Sequence, residues 1–283
     1  TFIVAAEMDR RRFPADDRVA GVHVSRDGGR SWQDTAPFDP AGKMQPSDSG
    51  AFLRTRKGTL IAAFSNRAER ANWNWDARTH DSPGASIPTY VVRSLDGGKT
   101  WRDLQRLHTP WTGANRDMIE TRDGRVVFTS MRMRHHPGRH TVLTYASDDE
   151  GESWQPSNII DLGGVGNHGG VTEATLVELK DGRLLKYIRT NWGQFWLAIS
   201  TDGGRYWHPH GPAGIDASSA PGALLRLESG RIALVWNRFY PEGQTEVELR
   251  GGDGNWSATP TSNFRHELSI SFSSDECESW SAP

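Results

Sequence analysis

Apolar residues recur along the chain in pairs of short segments, and a polar turn that ends in glycine separates the two members of each pair. The clearest example is Met118-Ile-Glu-Thr-Arg-Asp-Gly124-Arg-Val-Val, and the same pattern surrounds Gly58, Gly182 and Gly230. Short apolar segments on both sides of a glycine turn are typical of β-hairpins. Because no segment keeps an apolar period of 3.6 residues, the pattern predicts little helix.

An octet, Ser-x-Asp-x-Gly-x-x-Trp, alternates with these hairpins. Its five copies begin at Ser25, Ser94, Ser147, Ser200 and Ser273. Glycine after aspartate supplies the positive-φ positions of a tight turn, and the Asp carboxylate accepts backbone N–H bonds there. We therefore expect a structural motif whose Trp packs beneath the turn. The fifth copy has Cys277 in place of glycine, which predicts strain if that position requires φ > 0.

Together the two motifs define a unit of strand, glycine turn, strand, longer link, strand, octet and strand. Four antiparallel strands per unit predict an all-β fold, in which residues 1–283 form a single propeller domain of four-stranded blades. The octets lie about 62 residues apart, so six blades need about 370 residues and this chain holds fewer than five. We therefore expect a six-bladed β-propeller of which the first strand and the last blade lie outside this sequence.

Composition narrows the class of protein further. The chain has 12 Trp, 30 Gly and one Cys, and its net charge is −2 at pH 7. The single cysteine excludes an internal disulfide, and the absence of a run of 18 apolar residues excludes a transmembrane helix. The balanced charge argues against a nucleic-acid partner. Three histidines, His135, His136 and His140, lie in a basic run that we interpret as a mobile solvated loop rather than a metal site.

The octets, their number and the segments between them resemble the bacterial sialidase (neuraminidase) family over nearly the whole chain. Members of that family are six-bladed propellers that cleave terminal sialic acid from glycans. Thr172-Glu173-Ala174-Thr175-Leu176, with Ile188-Arg189 downstream, is similar to the family's glutamate strand and its arginine. Phe264-Arg265-His266-Glu267 resembles a segment that carries another arginine. The resemblance implies that Glu173 polarises a tyrosine nucleophile, and that Arg189 and Arg265 bind the sugar carboxylate.

The N-terminal stretch Ala6-Glu7-Met8-Asp9-Arg10, followed by Asp16-Asp17, is similar to the family's first-blade segment with the acid/base aspartate. The resemblance implies that Asp17, with Asp16 as its rival, is the acid/base and that Arg10 binds substrate. The family's first carboxylate-binding arginine is expected before Thr1, and its tyrosine nucleophile after Pro283.

The residues themselves explain why this chemistry would need them. Glu173 lies nine residues before Gly182, where the inner strand of its blade enters the mouth of the central channel. A guanidinium binds a carboxylate through two parallel hydrogen bonds, and a tyrosine nucleophile needs a carboxylate to take its proton. His168 is a candidate acid/base or sugar contact. Arg116 is either an ion-pair partner of Asp117 or a substrate contact.

The sequence therefore favours an exo-acting glycoside hydrolase of sialidase type. Its partner would be a glycan with an acidic terminal sugar, and the reaction needs no cofactor. Two other hypotheses stay open: a glycan-binding propeller without catalysis, and a related glycoside hydrolase or polysaccharide lyase with a different sugar specificity. A tyrosine in the last blade and an arginine ahead of Thr1 would separate the enzyme from the binding protein.

Overall fold

The computed structural model describes residues 2–4, 23–25, 27–31, 33–34, 38–39, 41, 43–47 and 50–283. These residues form β-strands and one short 3₁₀ helix, Arg67–Glu69. The strands in chain order are β1 (Phe2–Val4), β2 (His23–Ser25), β3 (Gln33–Asp34), β4 (Ala51–Arg54), β5 (Leu60–Ser65), β6 (Ser86–Ser94), β7 (Arg102–Pro110), β8 (Asn115–Glu120), β9 (Val126–Arg134), β10 (Arg139–Ser147), β11 (Gln155–Pro156), β12 (Ala174–Glu178), β13 (Leu184–Ile188), β14 (Gln194–Ser200), β15 (His208–Asp216), β16 (Ala223–Arg226), β17 (Ile232–Trp236), β18 (Leu249–Arg250), β19 (Thr261–Ser262) and β20 (Ser269–Ser273). Within these ranges, no helix is long and apolar enough to cross a membrane.

Sheet order follows chain order. Strands β4–β7, β8–β11 and β12–β15 form three four-stranded antiparallel sheets. Strands β1–β3 form a three-stranded sheet, as do β16, β17 and β20. The two-stranded ribbon β18–β19 is inserted between β17 and β20. The predicted unit of four antiparallel strands is thus confirmed in the three central sheets.

The first strands of successive sheets lie side by side: β4 contacts β8, β8 contacts β12, and β12 contacts β16. One side chain connects three of them. Thr175 Oγ1 on β12 donates to Asp117 Oδ2 on β8 at 2.7 Å and accepts from the Leu224 N–H on β16 at 2.9 Å. This arrangement is typical of propeller blades, in which inner strands surround a common axis.

The apolar core lies between neighbouring sheets. One cluster joins the second and third four-stranded sheets through Val127, Leu184 and Trp207, which are fully buried. Another joins the first and second through Ile61 and Phe128. Burial of a large apolar side chain stabilises a fold by about 1.5–3 kcal/mol. Each sheet therefore depends on its neighbours for stability.

The four glycine turns share one geometry. In the second four-stranded sheet, the Gly124 N–H donates to the Thr121 carbonyl at 2.9 Å, and the Thr121 N–H donates to the Arg125 carbonyl at 2.8 Å. Gly124 has φ 93°, in the left-handed region that favours glycine. The same pair of bonds closes the turns at Gly58, Gly182 and Gly230. The predicted hairpins are confirmed.

The octets are built around the aspartate, as the sequence predicts. In the second copy, Ser94 Oγ donates to Asp96 Oδ1 at 2.8 Å, and the Thr100 N–H donates to the same oxygen at 2.9 Å. These bonds, led by that of the Thr100 hydroxyl, lower the pKa of Asp96 to about 2. The Trp also packs beneath its turn, since the indole N–H groups of Trp154 and Trp207 donate to the carbonyls of Gly151 and Gly204.

Cys277 has φ 73°, and the glycines at the same octet position have φ between 80° and 90°. The fifth turn therefore keeps its shape, with the Cys277 N–H bonded to Ser273 Oγ at 2.8 Å. A side chain in this region of φ is strained, as the sequence predicts.

The links between the second and third strands depart from the predicted longer connections. They are long at residues 66–85 and 237–268 but short at 135–138 and 189–193. The interpretation of the basic run as a loop is also wrong, because it forms the hairpin of β9 and β10. Asp81 holds its tip by accepting from the His136 N–H at 3.0 Å and bonding His135 Nδ1 at 2.7 Å, while His140 is buried.

Candidate functional site

Glu173 and Arg189 lie opposite each other where β12 begins and β13 ends. The antiparallel register pairs Ala174 with Ile188. Glu173, just before Ala174, therefore lies opposite Arg189, just after Ile188. The Arg189 N–H donates to the Glu173 carbonyl at 3.1 Å, and Arg189 Nη1 forms an ion pair with Glu173 Oε2. Arg189 is 8% exposed, so the pair is largely buried. A hairpin thus brings together two residues that are 16 positions apart.

Arg116, near the start of β8, approaches the same carboxylate. Its Nε lies 3.8 Å from Glu173 Oε1. Asp117 faces the neighbouring sheet instead and accepts from Thr175 Oγ1 and from the Leu176 N–H. Burial raises the pKa of Asp117. Side chains that alternate along a strand point to opposite sides, so Arg116 is directed to the mouth while Asp117 belongs to the interface between sheets.

Ser219 joins the two arginines that the resemblance assigns to carboxylate binding. Arg189 Nη2 donates to Ser219 Oγ at 2.9 Å, and Arg265 Nη2 donates to the Ser219 carbonyl at 2.6 Å. Ser219 Oγ in turn donates to Asn191 Oδ1 at 2.6 Å. Partial burial and the nearby charges of Arg189 and Arg116 lower the pKa of Arg265, which is far too basic to lose its proton. Among the described residues, guanidinium groups therefore outnumber carboxylates at this mouth.

His168 lies on the glycine-rich segment 163–170 beside the two arginines. Its ring stacks on Trp256, with centroids 5.2 Å apart and an interplanar angle of 16°. Its carbonyl accepts from Asn191 Nδ2 at 2.7 Å. Partial burial, together with His140 and Arg189, lowers the pKa of His168 to about 4. A neutral imidazole is a poor general acid at pH 7, and the stacking of the ring on Trp256 favours a sugar contact.

His168, Arg189 and Arg265 lie at a cavity of about 330 Å³. Its lining consists of His168, Arg189, Arg250, Trp256, Asn263 and Arg265. The sequence did not point to Arg250 or Asn263, whereas Trp256 is one of the seven Trp residues outside the octets, some of which the sequence suggests for the sugar site. All three come from the β18–β19 ribbon and the residues around it. The unusual length of the 237–268 link is the signal that could have drawn attention to them.

Backbone pairing holds this ribbon against the segment that carries His168. The His168 N–H donates to the Trp256 carbonyl at 2.8 Å, and the Ala258 N–H donates to the Val165 carbonyl at 2.9 Å. Gly166 is required at the crossing, because a Cβ there would lie 2.5 Å from the Trp256 carbonyl oxygen. The wall of the cavity is therefore made by two distant links that fix each other.

Five of the seven predicted site residues lie together at this mouth: Glu173, Arg189, Arg265, His168 and Arg116. Asp17 and Arg10 lie outside the described residues, so their roles stay predictions. The described residues contain no group of three or more His, Cys, Asp or Glu side chains placed to hold a metal ion.

A larger cavity, of about 650 Å³, opens at the opposite ends of the strands, where Gly182 and Gly203 lie. Its arginines are already neutralised. Arg122 pairs with Glu178 at 3.0 Å, and Arg125 pairs with Asp148 at 2.7 Å. We therefore place the candidate site at the smaller cavity, where positive charge is in excess.

Comparison with known proteins agrees with this fold. No curated protein matches the chain. Solved structures that resemble it include a protein of unknown function from Dyadobacter fermentans, with TM-score 0.57 and 22% identity over 82% of this chain and 70% of that chain. A Trypanosoma rangeli sialidase in complex with the inhibitor DANA has TM-score 0.52 and 14% identity over 89% of this chain. This chain spans 41% of that sialidase.

A Penicillium chrysogenum alpha-L-arabinanase complexed with arabinobiose has TM-score 0.53 and 12% identity over 92% of this chain and 71% of that chain. At these identities the likeness shows the fold: an all-β architecture of four-stranded antiparallel sheets like those of the sialidase and the arabinanase. A family model described as BNR repeat-like domain matches residues 22–283. Because this match covers nearly the whole chain, the protein belongs to the BNR repeat-like domain family.

Proposed function

We propose that the protein is an exo-acting glycoside hydrolase of sialidase type, which removes a terminal acidic sugar from a glycan on a six-bladed propeller. The observation that carries the proposal is the pair Arg189 and Arg265, joined through Ser219 beside Glu173. A cavity with this excess of guanidinium groups is complementary to a carboxylate on a sugar.

In the proposed complex, the sugar carboxylate accepts hydrogen bonds from Arg265 and Arg189. Buried hydrogen bonds between charged groups are strong because the low dielectric of the site weakens them little. The cavity of about 330 Å³ is at the lower end of the volumes of small-molecule sites, so it favours the end of a glycan over an internal stretch of chain. These features support an exo mode of action at the end of a glycan.

Glu173 is the proposed proton acceptor for a tyrosine nucleophile, which the resemblance assigns to the last blade. A tyrosine hydroxyl has a pKa near 10 and is a weak nucleophile at neutral pH until a carboxylate takes its proton. Sialidases are known for a tyrosine nucleophile among glycosidases. Asp17 would protonate the leaving oxygen and then activate water.

Glycan binding without turnover is the second candidate function. The ion pair of Glu173 with Arg189 favours this function, because a carboxylate held by arginines can serve only to position the guanidinium groups and take no proton. The two functions differ in one outcome, which is whether the bound sugar is released.

Hydrolysis of a fluorogenic α-sialoside by the natural full-length protein tests the proposal. Replacing Glu173 with Gln should lower kcat by a factor of about 10²–10⁴ while binding of the sugar stays close to the wild-type value. Glu178→Gln is the matched control, because Glu178 lies at the opposite end of the same strand and pairs with Arg122.

The control variant should keep full activity. Turnover by Glu173→Gln at the wild-type rate would remove Glu173 from the mechanism. Binding of the sialoside without any turnover by the wild-type protein would favour the glycan-binding function.

A further inference from the structure

Arg250 adds a guanidinium to the cavity that a single sugar carboxylate does not require. It lies on β18 of the inserted ribbon and lines the cavity together with Arg189 and Arg265. Its Cζ lies 5.0 Å from the centre of the Trp256 ring. A guanidinium on an aromatic face is held in place, and its N–H groups at the ring edge stay free for a ligand.

Arg250 and Arg265 carry charges that no carboxylate of the described residues neutralises, whereas Arg189 pairs with Glu173. Glu173 is the carboxylate that the described part of the chain places at the mouth, and it pairs with Arg189 and lies near Arg116. Within residues 50–283, which are described without a gap, no salt bridge reaches Arg250 or Arg265. Arg189 and Arg265 share Ser219, whereas Arg250 contacts the Trp256 and His168 wall. The cavity thus has arginines at two anchor points, Ser219 for Arg189 and Arg265 and Trp256 for Arg250.

A polar atom on the same wall also lacks a partner. Asn263 Oδ1 is buried and makes no hydrogen bond among the described residues, although Asn263 lines the cavity. A buried acceptor without a donor destabilises the free site. A ligand hydroxyl that donates to Asn263 would remove this penalty.

We propose that Arg250, Trp256 and Asn263 form a second subsite, which binds an acidic sugar adjacent to the terminal one. This inference rests on the proposed function, since it assumes that a terminal acidic sugar occupies Arg189 and Arg265. The preferred ligand is a glycan whose last two sugars each bear an anionic group. Arg250 binds the second anion, Asn263 accepts from a hydroxyl of that sugar, and Trp256 packs against its ring.

Calorimetric titration with two sulfur-linked oligosaccharides that resist hydrolysis tests this proposal. One probe is a sialic acid linked to galactose, with one carboxylate, and the other is a sialic acid linked to a second sialic acid. The wild-type protein should bind the dianionic probe at least about tenfold more tightly. Arg250→Gln should abolish this preference and change binding of the monoanionic probe by less than about twofold.

Arg231→Gln is the matched control, because Arg231 stacks on Phe272 at 4.7 Å in the same way but lies away from the cavity. It should leave the binding of both probes unchanged. Equal affinity of the wild-type protein for the two probes, failure of both to bind, or an equal loss for both in Arg250→Gln would overturn the second subsite.

Failure of the proposed function is detected separately. A protein that binds the dianionic probe through Arg250 but releases no sialic acid from the oxygen-linked sugars would contradict the hydrolase and leave the subsite supported. Release of sialic acid together with equal affinity for the two probes would support the hydrolase and contradict the second subsite.

Discussion

Lys186 places its Nζ 3.8 Å from the centre of the Trp207 ring, and both side chains are fully buried. Among the described residues, Nζ has no hydrogen-bond partner. Trp207 is the last residue of the fourth octet, and its indole N–H donates to Thr144 Oγ1 at 2.7 Å. A lysine in the core thus faces an aromatic ring that the repeat itself positions. Burial lowers the pKa of Lys186 well below its usual range.

Replacing Lys186 with Met should raise the free energy of unfolding by about 1–3 kcal/mol at pH 7, because a buried polar group without a partner is removed. The unfolded chain keeps Lys186 protonated up to about pH 10.4, whereas the folded protein releases that proton at lower pH. Wild-type stability therefore rises with pH across this window. The advantage of Lys186→Met should shrink as the pH approaches 10 in urea unfolding experiments.

Lys99→Met is the control, because Lys99 is exposed in the second octet. It should change stability little at any pH. A lower stability of Lys186→Met at all pH values would show that attraction to Trp207 outweighs the desolvation of the ammonium group.

As the pH is lowered, the free energy of unfolding should fall before the carboxylates of the protein become protonated. Burial lowers the pKa of His108 to about 4 and also lowers that of His140. Below about pH 6.5 the unfolded chain protonates both histidines, whereas the folded protein keeps His108 neutral down to about pH 4 and protonates His140 only below its usual range, so stability is lost as the pH falls. Each histidine contributes up to about 1.4 kcal/mol per pH unit in this window. Urea unfolding at successive pH values measures the slope.

His108→Gln should make that slope shallower, and His210→Gln on the exposed strand β15 should leave it unchanged. A free energy of unfolding that stays constant between pH 7 and 5 would contradict the assignment of neutral buried histidines.

Cys277 offers a direct test of backbone strain in the octet. Cys277→Gly should be more stable than Cys277→Ala by about 1 kcal/mol, because φ is 73° and glycine alone adopts that region without strain. Both variants lose the thiol, so their difference in urea midpoint reports the backbone. Ser274 does not have positive φ, so at this control position Ser274→Ala should be more stable than Ser274→Gly. Equal stability of the two variants at position 277 would contradict the strain.

Arg265→Gln should weaken binding of a carboxylate-bearing sugar by about 2–5 kcal/mol with little loss of stability. Arg265 is more exposed than Arg189 and would lose one hydrogen bond, to the Ser219 carbonyl, whereas Arg189 is buried and also pairs with Glu173. Calorimetry with sialic acid measures the affinity. Arg78→Gln, at an exposed position on the 66–85 link, is the control. An unchanged affinity in Arg265→Gln would exclude it from carboxylate binding.

The hairpins and octets could be predicted from the sequence because each is closed by residues a few positions apart. Glycine at positive φ and an aspartate that accepts local N–H bonds leave the same pattern at each copy. Even the meeting of Glu173 with Arg189 follows from one hairpin, whose register is set by the turn at Gly182.

The links were predicted poorly, and the basic run is the clearest case. Its charges and its Pro and Gly suggested a loop, but Asp81, more than 50 positions away, bonds His135 and His136. A distant partner that satisfies polar groups leaves no periodic trace in the sequence. Arg250 and Asn263 were missed for the same reason, because their partners in the cavity are distant in the sequence.

The sequence by itself determined the repeating unit, the shape of its turns and the location of Glu173 and Arg189 at the mouth of the fold. Only the tertiary structure decided which side chains complete that mouth. Arg116 reaches it from another sheet and Arg265 from the link between β19 and β20, and the ribbon with Trp256 is fixed there by backbone bonds to the His168 segment. The physical reason is the range of the interactions: local turns are encoded by adjacent residues, whereas a site between sheets depends on packing across the whole fold.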